Sequence, residues 1–259
     1  MPDPSPLFVR TSEAAAPTGV PVVLLHGFAS SGTDDFETTG WAQTFADAGR
    51  TTHIVDLPGH GDSGPVTEAG ATTSAVVAQL VDAIDALTDG PVDVVAYSLG
   101  ARLAWELPNA SSARRPESTR PIVRRLVLGG LSPFEPFATV DTDALSAVVA
   151  GRDRGDRAAP RPADPMLGMM AAMVSAPGRD TESLIALIRG LGSEPFTPSA
   201  GAPAETPILF VAGSDDVMTT GIEDLVALTQ NGTLARVPGD HRGALDSPEF
   251  RAAALAFLS

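Results

Sequence analysis

The chain is organised around one stretch, Pro91-Val92-Asp93-Val94-Val95-Ala96-Tyr97-Ser98-Leu99-Gly100. Its apolar run predicts a fully buried strand, and the apolar side chains at helical spacing from Leu99 to Leu107 predict a helix. The chain therefore turns sharply at Ser98. A turn of this kind lifts the serine Oγ clear of the backbone and aims it at the helix N-terminus, where unpaired N–H groups favour a developing anion.

The residues around the serine match a known catalytic turn. The nucleophile-elbow motif is Gly-x-Ser-x-Gly, and here it reads Ala96-Tyr97-Ser98-Leu99-Gly100, with alanine in the first glycine position. Alanine keeps the flanking side chain small, as the sharp turn requires. A serine between small residues is usually a plain turn residue, but the strand before it and the helix after it favour a nucleophile.

Strand and helix patterns alternate on both sides of this turn. Before it, strands are predicted at Leu7–Val9, Val20–Leu25 and Thr52–Leu57, with helices at Trp41–Ala48 and Thr73–Leu87. After it, strands are predicted at Arg125–Gly129, Pro207–Ala212 and Leu234–Val237, with helices at Ile222–Thr229 and Pro248–Leu258. This alternation predicts a mostly parallel sheet with helices on both faces.

The alternation is interrupted once. Residues from about Leu131 to Pro203 hold short helical patterns, many prolines and an Arg-rich turn at Arg152–Arg161. We interpret this segment as a small helical lid inserted into a single α/β domain that spans residues 1–259. The polar stretch from Asn109 to Pro121, after a helix predicted to end near Pro108, is expected to be a surface loop.

Composition excludes several classes of function. A formal net charge of −15 argues against nucleic acid as a partner, because phosphate contacts depend on clustered cations. All 17 basic residues are arginine, which removes Schiff-base and P-loop lysine chemistry, and the lack of cysteine excludes thiolate chemistry. The apolar run Val20–Leu25 is far shorter than the roughly 18 residues of a membrane span, so we expect a cytoplasmic protein that acts on a small molecule.

A serine hydroxyl is a weak nucleophile at neutral pH, so it needs a general base, and the base needs an acid that orients it. Histidine and aspartate are the expected partners. Asp215 and Asp216 follow the predicted strand at Pro207–Ala212, and His241 follows the predicted strand at Leu234–Val237. The spacing alone leaves either aspartate as the candidate acid.

Five short motifs, taken in order, resemble those of the α/β-hydrolase superfamily, in its small-lid branch of esterase-like, C–C hydrolase-like and menaquinone-pathway lyase-like members. The motifs cover nearly the whole chain, and they are His26-Gly27-Phe28, Asp56-Leu57-Pro58-Gly59-His60-Gly61-Asp62-Ser63, the turn at Ser98, Gly213-Ser214-Asp215-Asp216 and Gly239-Asp240-His241. The resemblance implies a mostly parallel sheet of about eight strands, a small lid and no cofactor.

The resemblance also implies roles for single residues. The family's acid usually lies three residues after its glycine, which selects Asp216 over Asp215. The family's oxyanion hole uses two backbone N–H groups, which fall here on Phe28 and Leu99. The expected catalytic side chains are those of Ser98, Asp216 and His241.

The remaining candidates are structural or line a pocket. We expect His26 to brace the oxyanion loop, His60 to pack within its glycine loop and His53 to begin a strand, with no metal site. One helical face in the lid carries the methionines Met166, Met169, Met170 and Met173. Such a face usually belongs to a core, but here we expect it to shape an apolar pocket, with Tyr97 and Phe134 as further walls.

The expected function is therefore that of a cofactor-free serine hydrolase that acts through an acyl-enzyme on a carboxylic ester of a small apolar acid. Because specificity resides in the lid, C–C bond hydrolysis, perhydrolysis and a menaquinone-pathway type of lyase reaction stay open as alternatives. A non-catalytic module that binds a ligand in the same pocket is an alternative from another class. The oligomeric state also stays open.

Overall fold

The computed structural model describes residues 6–114, 122–153, 164–199 and 205–259. The strands in these ranges are β1 (Val9–Ser12), β2 (Val22–Leu25), β3 (Thr52–Val55), β4 (Val92–Tyr97), β5 (Val123–Gly129), β6 (Ile208–Gly213) and β7 (Gly232–Val237). The α-helices are α1 (Trp41–Asp47), α2 (Thr73–Leu87), α3 (Leu99–Ala104), α4 (Leu107–Arg114), α5 (Thr142–Asp153), α6 (Pro165–Val174), α7 (Thr181–Ser193), α8 (Ile222–Ala227), α9 (His241–Asp246) and α10 (Pro248–Leu258).

The strands form one sheet in the order β1-β3-β2-β4-β5-β6-β7. β1 pairs antiparallel with β3, and all other neighbours are parallel. The predicted α/β-hydrolase fold is confirmed, although the described residues form seven strands and not the expected eight, because residues 6–21 contribute only β1. Since parallel strands end at a common edge, the loops after β2, β4, β6 and β7 meet there.

β4 lies in the centre of the sheet, and all six of its residues are buried. Its side chains alternate between two cores, as the period of a strand requires. Val94 and Ala96 join the core that contains α2, whereas Val95 and Tyr97 join the core that contains α1 and α10. Helices therefore cover both faces of the sheet, which explains why every residue of β4 other than Asp93 is apolar or aromatic.

The helix after Ser98 differs from the prediction. α3 is short, and Pro108 lies in the first turn of a second helix, α4, and not at the end of the first helix. Proline is tolerated there because the N–H that it lacks would have no partner within the helix. The predicted loop after Asn109 thus begins as helix, and its remainder, residues 115–121, lies outside the described residues.

Between β5 and β6 the described chain forms three helices, α5, α6 and α7, which correspond to the predicted interruption of the alternation. Asp164 and Asp180 begin α6 and α7, and each side chain accepts a hydrogen bond from a backbone N–H of the first turn. All three helices bury apolar side chains in the core that also contains α2. Most of the predicted Arg-rich turn, residues 154–161, lies outside the described residues.

None of the helices in the described part of the chain is long and apolar enough to cross a membrane.

Candidate active site

The turn at Ser98 has the strained geometry that the sequence predicts. Ser98 has φ 52° and ψ −115°, a conformation that side-chain-bearing residues rarely adopt. Its amide donates to the Gly129 carbonyl at 2.8 Å, and the Gly100 amide donates to the His26 carbonyl at 3.1 Å. A Cβ at Gly100 would lie 2.3 Å from the Leu25 carbonyl oxygen, so only glycine allows α3 to start this close to β2.

Ser98, His241 and Asp216 form a continuous chain of hydrogen bonds. The distance from Ser98 Oγ to His241 Nε2 is 3.0 Å, and that from His241 Nδ1 to Asp216 Oδ2 is 2.9 Å. A carboxylate can only accept, so Nδ1 carries the imidazole proton and Nε2 is left to accept the serine proton. The structure thus brings together the three side chains that the sequence predicts, although they lie up to 143 residues apart.

The two neighbouring aspartates differ in their surroundings. The Asp216 side chain is fully buried, and its second oxygen accepts the Met218 amide at 2.9 Å. The Asp215 side chain is exposed and contacts the hydroxyl of Ser214. Only Asp216 contacts His241, as the family spacing implies.

The backbone of His241 is fixed by contacts other than the one between its ring and Asp216. It is the first residue of α9, whose start is capped by Asp240 through the amides of Arg242 and Gly243. The Tyr97 hydroxyl donates to the His241 carbonyl, and the two rings lie 5.3 Å apart. Burial raises the pKa of Tyr97 above its usual value, so its hydroxyl stays protonated and keeps donating.

The amides of Phe28 and Leu99 lie on the two loops that flank Ser98. Among the described residues, neither amide donates a hydrogen bond to the protein. Leu99 begins α3, where the first N–H groups have no intrahelical partner. Both amides are therefore free to donate to an oxygen that is bound at Ser98.

Two buried histidines hold the loop that carries Phe28. His26 Nδ1 donates to the Gly27 carbonyl at 2.7 Å while its Nε2 accepts the Leu57 amide at 2.9 Å. His60 Nε2 accepts the amide of Ala29, a residue with φ 52°, at 3.0 Å. Burial lowers the pKa of His26, and it lowers that of His60 to about 3, so both rings stay neutral and keep an accepting nitrogen.

A small cavity opens beside Ser98, with about 380 Å³ of empty volume including its mouth. Most of its walls are formed by apolar side chains. The lining residues are Phe28, Ser98, Leu99, Arg102, Gly130, Leu131, Ser132, Phe134, Pro136, Phe137 and Met218. Phe134 is the predicted wall residue that the structure places here. Met218 and Phe137 were not predicted, because nothing in their local pattern separates them from core residues.

The other predicted wall residues lie elsewhere. The four predicted methionines are not at this cavity, since α6 buries Met170 in the core and leaves the other three at the surface, namely Met166, Met169 and Met173. A methionine face at helical spacing does not reveal which side packs inward. Tyr97 is also no wall of this cavity, because its ring turns to the opposite core and lies behind His241.

Arg102 is a polar wall residue that the sequence analysis did not single out. It is only 4% exposed, and its Nε donates to the buried carboxylate of Glu135. Nη2 donates to Thr73 Oγ1 and to the Glu194 carbonyl, each at 2.8 Å. Nη1 is buried and has no hydrogen-bond partner among the described residues.

His53 lies in β3, where Thr11 Oγ1 contacts its Nδ1 at 3.0 Å. Within the described ranges no group of three or more histidine, aspartate or glutamate side chains is arranged to bind a metal ion.

Comparison with known proteins places this geometry in a family. A family model described as the alpha/beta hydrolase family matches residues 22–254. No curated protein matches the sequence.

Similar solved structures include an esterase of Thermogutta terrifontis, with 18% identity, a TM-score of 0.70 and 97% of this chain and 92% of that chain covered. The putative non-heme bromoperoxidase BpoC of Mycobacterium tuberculosis H37Rv has 23% identity and a TM-score of 0.67, with 97% and 94% covered. MenH of S. aureus has 18% identity and a TM-score of 0.65, with 96% and 97% covered. These likenesses show a shared fold, and the family match extends over most of the chain. The chain is a member of the alpha/beta hydrolase family.

Proposed function

We propose that the protein is a serine hydrolase in which Ser98 is the nucleophile, His241 the general base and Asp216 the acid that orients it. The observation that carries the proposal is the chain of two hydrogen bonds, 3.0 Å and 2.9 Å, that joins the three side chains. A buried carboxylate behind the imidazole keeps the Nε2 lone pair directed at the serine. The strained turn at Ser98 supports the same role, since strain of this kind is concentrated at functional sites.

The reaction follows from these positions. Ser98 Oγ attacks the carbonyl carbon of an ester as its proton passes to His241 Nε2, and the carbonyl oxygen becomes an anion. The amides of Phe28 and Leu99 donate to this anion. When the tetrahedral intermediate collapses, the alcohol leaves with the proton from His241 and the acyl group stays on Ser98. Water then attacks the acyl-enzyme, again with His241 as base, and the carboxylic acid is released.

The substrate we propose is a carboxylic ester with a small to medium apolar acyl group. The cavity beside Ser98 is lined mainly by phenylalanine, leucine, proline and methionine side chains. Each buried methylene contributes about 0.8 kcal/mol, which is a gain of about fourfold in kcat/KM if the contact persists in the transition state. The gain stops when the acyl group fills the cavity.

A series of p-nitrophenyl esters from acetate to octanoate tests this proposal. We expect kcat/KM to rise from acetate and then level off, and we expect Ser98→Ala to lower kcat by about 10⁶-fold while the fold stays intact. A Ser98→Ala protein that keeps a tenth of the wild-type turnover would overturn the assignment of the nucleophile. Turnover of no ester by the wild type would favour a non-catalytic binding module.

One observation favours a second candidate function, a lyase reaction in which no acyl-enzyme forms. His241, acting with Ser98, removes a proton from carbon, the freed electron pair forms a carbon–carbon double bond, and a group on the neighbouring carbon leaves with its bonding electrons. Arg102 lines the cavity, and its buried Nη1 has no hydrogen-bond partner among the described residues, which suits a substrate that carries an oxygen acceptor away from the reacting bond. Mass spectrometry during turnover separates the two candidates. Hydrolysis requires a mass increase on Ser98 equal to the acyl group, whereas the lyase reaction leaves the mass of the protein unchanged.

A further inference from the structure

Asp35 lies outside the predicted motifs, yet its carboxylate contacts two of the loops around Ser98. It belongs to the π-helical turn Thr33–Glu37 and is only 2% exposed. Its Oδ2 accepts the Gly27 amide at 2.9 Å, and its Oδ1 accepts Ser30 Oγ at 2.5 Å and Arg242 Nη1 at 2.6 Å. Three donors, one of them a guanidinium, fix the orientation of this buried carboxylate.

The contact with Gly27 bears directly on the oxyanion loop. A Cβ at Gly27 would lie 3.4 Å from Ser98 Cβ and 3.6 Å from Asp35 Oδ2, so the glycine sits between the serine and the carboxylate. The Gly27 carbonyl is held by His26 Nδ1. Because a trans peptide is planar, the Phe28 N–H points away from that carbonyl, and its direction is fixed once both ends of Gly27 are held.

The contact with Arg242 reaches the other loop of the site. Arg242 directly follows His241, and its guanidinium donates to the Asp35 carboxylate and, through Nη2, to the Asp34 carbonyl at 3.1 Å. The same carboxylate therefore holds the residue after the base and the residue before the oxyanion donor. Asp35 and Arg242 lie 207 residues apart in sequence.

We propose that Asp35 is a positioning residue with two effects. It directs the Phe28 N–H towards the substrate oxygen and, through Arg242, it holds the His241 loop in a fixed position relative to that N–H. This role rests on the proposed hydrolase function. This role requires both oxygens of the carboxylate as hydrogen-bond acceptors. In an asparagine one oxygen is replaced by an NH₂ group, so either the Gly27 amide or the pair of donors from Ser30 and Arg242 loses its acceptor.

Kinetics of Asp35→Asn test the proposal. Loss of one oxyanion donor costs about 10²- to 10³-fold in kcat, so we expect a misaimed donor to lower kcat by about 10- to 100-fold, with KM changed less than about twofold. The matched control is Asp34→Asn, which removes the adjacent and half-exposed carboxylate that pairs with Arg179 and should leave both constants within about twofold.

A thionoester separates positioning from a general loss of structure. Sulfur accepts hydrogen bonds weakly, so the oxyanion donors contribute little to thionoester turnover. We expect Asp35→Asn to reduce the ratio of ester to thionoester kcat/KM, whereas partial unfolding would lower both rates equally and leave the ratio unchanged. An unchanged ratio would overturn the proposal.

The NMR signals of the Gly27 and Phe28 amides give a readout that does not require turnover. The Gly27 proton, which donates to a charged oxygen in the wild type, should move upfield in Asp35→Asn, and the Phe28 signal should move with it. Unmoved signals would contradict the positioning role whether or not esters are hydrolysed. Moved signals in a protein that hydrolyses no ester would instead uphold the geometry and refute the hydrolase function.

Discussion

At the scale of single residues, burial distinguishes the two adjacent carboxylates, of which only Asp216 contacts His241. Asp216 lies in the loop after β6 with its side chain fully buried, while Asp215 is exposed to solvent. A buried carboxylate acts on the imidazole through a low dielectric, whereas an exposed one is screened by water. Spacing from Gly213 selects the same residue in the sequence, so the two arguments agree.

Separate substitutions of the two aspartates test this difference. Asp216→Asn should lower kcat by about 10⁴-fold, because the amide no longer holds the tautomer with the Nδ1 proton. Asp215→Asn should change kcat less than about twofold. Circular dichroism must show both proteins folded. A larger loss in Asp215→Asn would mean that the acid is wrongly assigned.

The sequence, with the family resemblance, predicted the three hydrogen-bonded side chains of the candidate site but not the residues that hold them in place. Strand patterns and residue chemistry predicted Ser98, His241 and one of two aspartates, and the spacing in the resembled family selected Asp216. Asp35 and Arg102 lie in a turn and on a helix with no motif, and their partners are remote in sequence. Such contacts become visible only when the loops are placed in space.

At the scale of elements, strand and helix types followed the predictions and some boundaries did not. β1 begins at Val9, where the predicted strand ended, because an edge strand takes its register from pairing with β3. Pro108 starts a helix where it was expected to end one. The methionines of α6 were also predicted incorrectly as pocket walls. Their periodicity identifies a helix, but it does not show which side of the helix packs against the rest of the protein.

Cavity walls give a prediction at this scale. Phe134→Ala should enlarge the cavity and shift the best acyl chain in the p-nitrophenyl series to a longer one, since the ring lines the space beside Ser98. Met169→Ala is the control, because its side chain lies outside these walls. A shifted profile in Met169→Ala with none in Phe134→Ala would place the acyl pocket under α6 instead.

His60, which accepts a hydrogen bond from the loop that carries Phe28, makes the free energy of unfolding depend on pH. The pKa of His60 is lowered by burial to about 3 in the folded protein, below the ordinary value of 6.5 for the unfolded chain. The unfolded state therefore binds more protons between these values. The contribution of His60 to the free energy of unfolding is complete above about pH 6.5. As the pH falls from 6.5 towards 3, this contribution decreases by about 1.4 kcal/mol per pH unit.

Urea unfolding between pH 7 and pH 4 measures this effect. The free energy of unfolding should fall less steeply with pH in His60→Gln than in the wild type. Equal slopes would mean that His60 is not buried as a neutral ring.

At the scale of the whole molecule, one buried carboxylate joins the sheet to the end of the chain. Asp93 in β4 is fully buried and pairs with Arg50 and Arg124. Both guanidinium groups also donate to the Leu258 carbonyl at the end of α10. Removing one partner of such a group leaves buried charge without compensation.

Asp93→Asn should therefore lower the free energy of unfolding by about 3 to 5 kcal/mol. Asp82→Asn is the control, because it breaks an exposed pair with Arg114 and should cost less than about 1 kcal/mol. Urea denaturation of both variants gives the comparison, and equal losses would contradict a clamp at Asp93.

The most direct test of the central claim is covalent labelling with a fluorophosphonate, which reacts with an activated serine. The chain has no lysine, so trypsin cuts only after arginine and Ser98 lies on the peptide of residues 51–102. Tandem mass spectrometry should place the label on Ser98 in the wild type, with no label in Ser98→Ala and a strongly reduced labelling rate in His241→Ala. A wild-type protein that stays unlabelled, or that carries the label on another serine, would contradict the account.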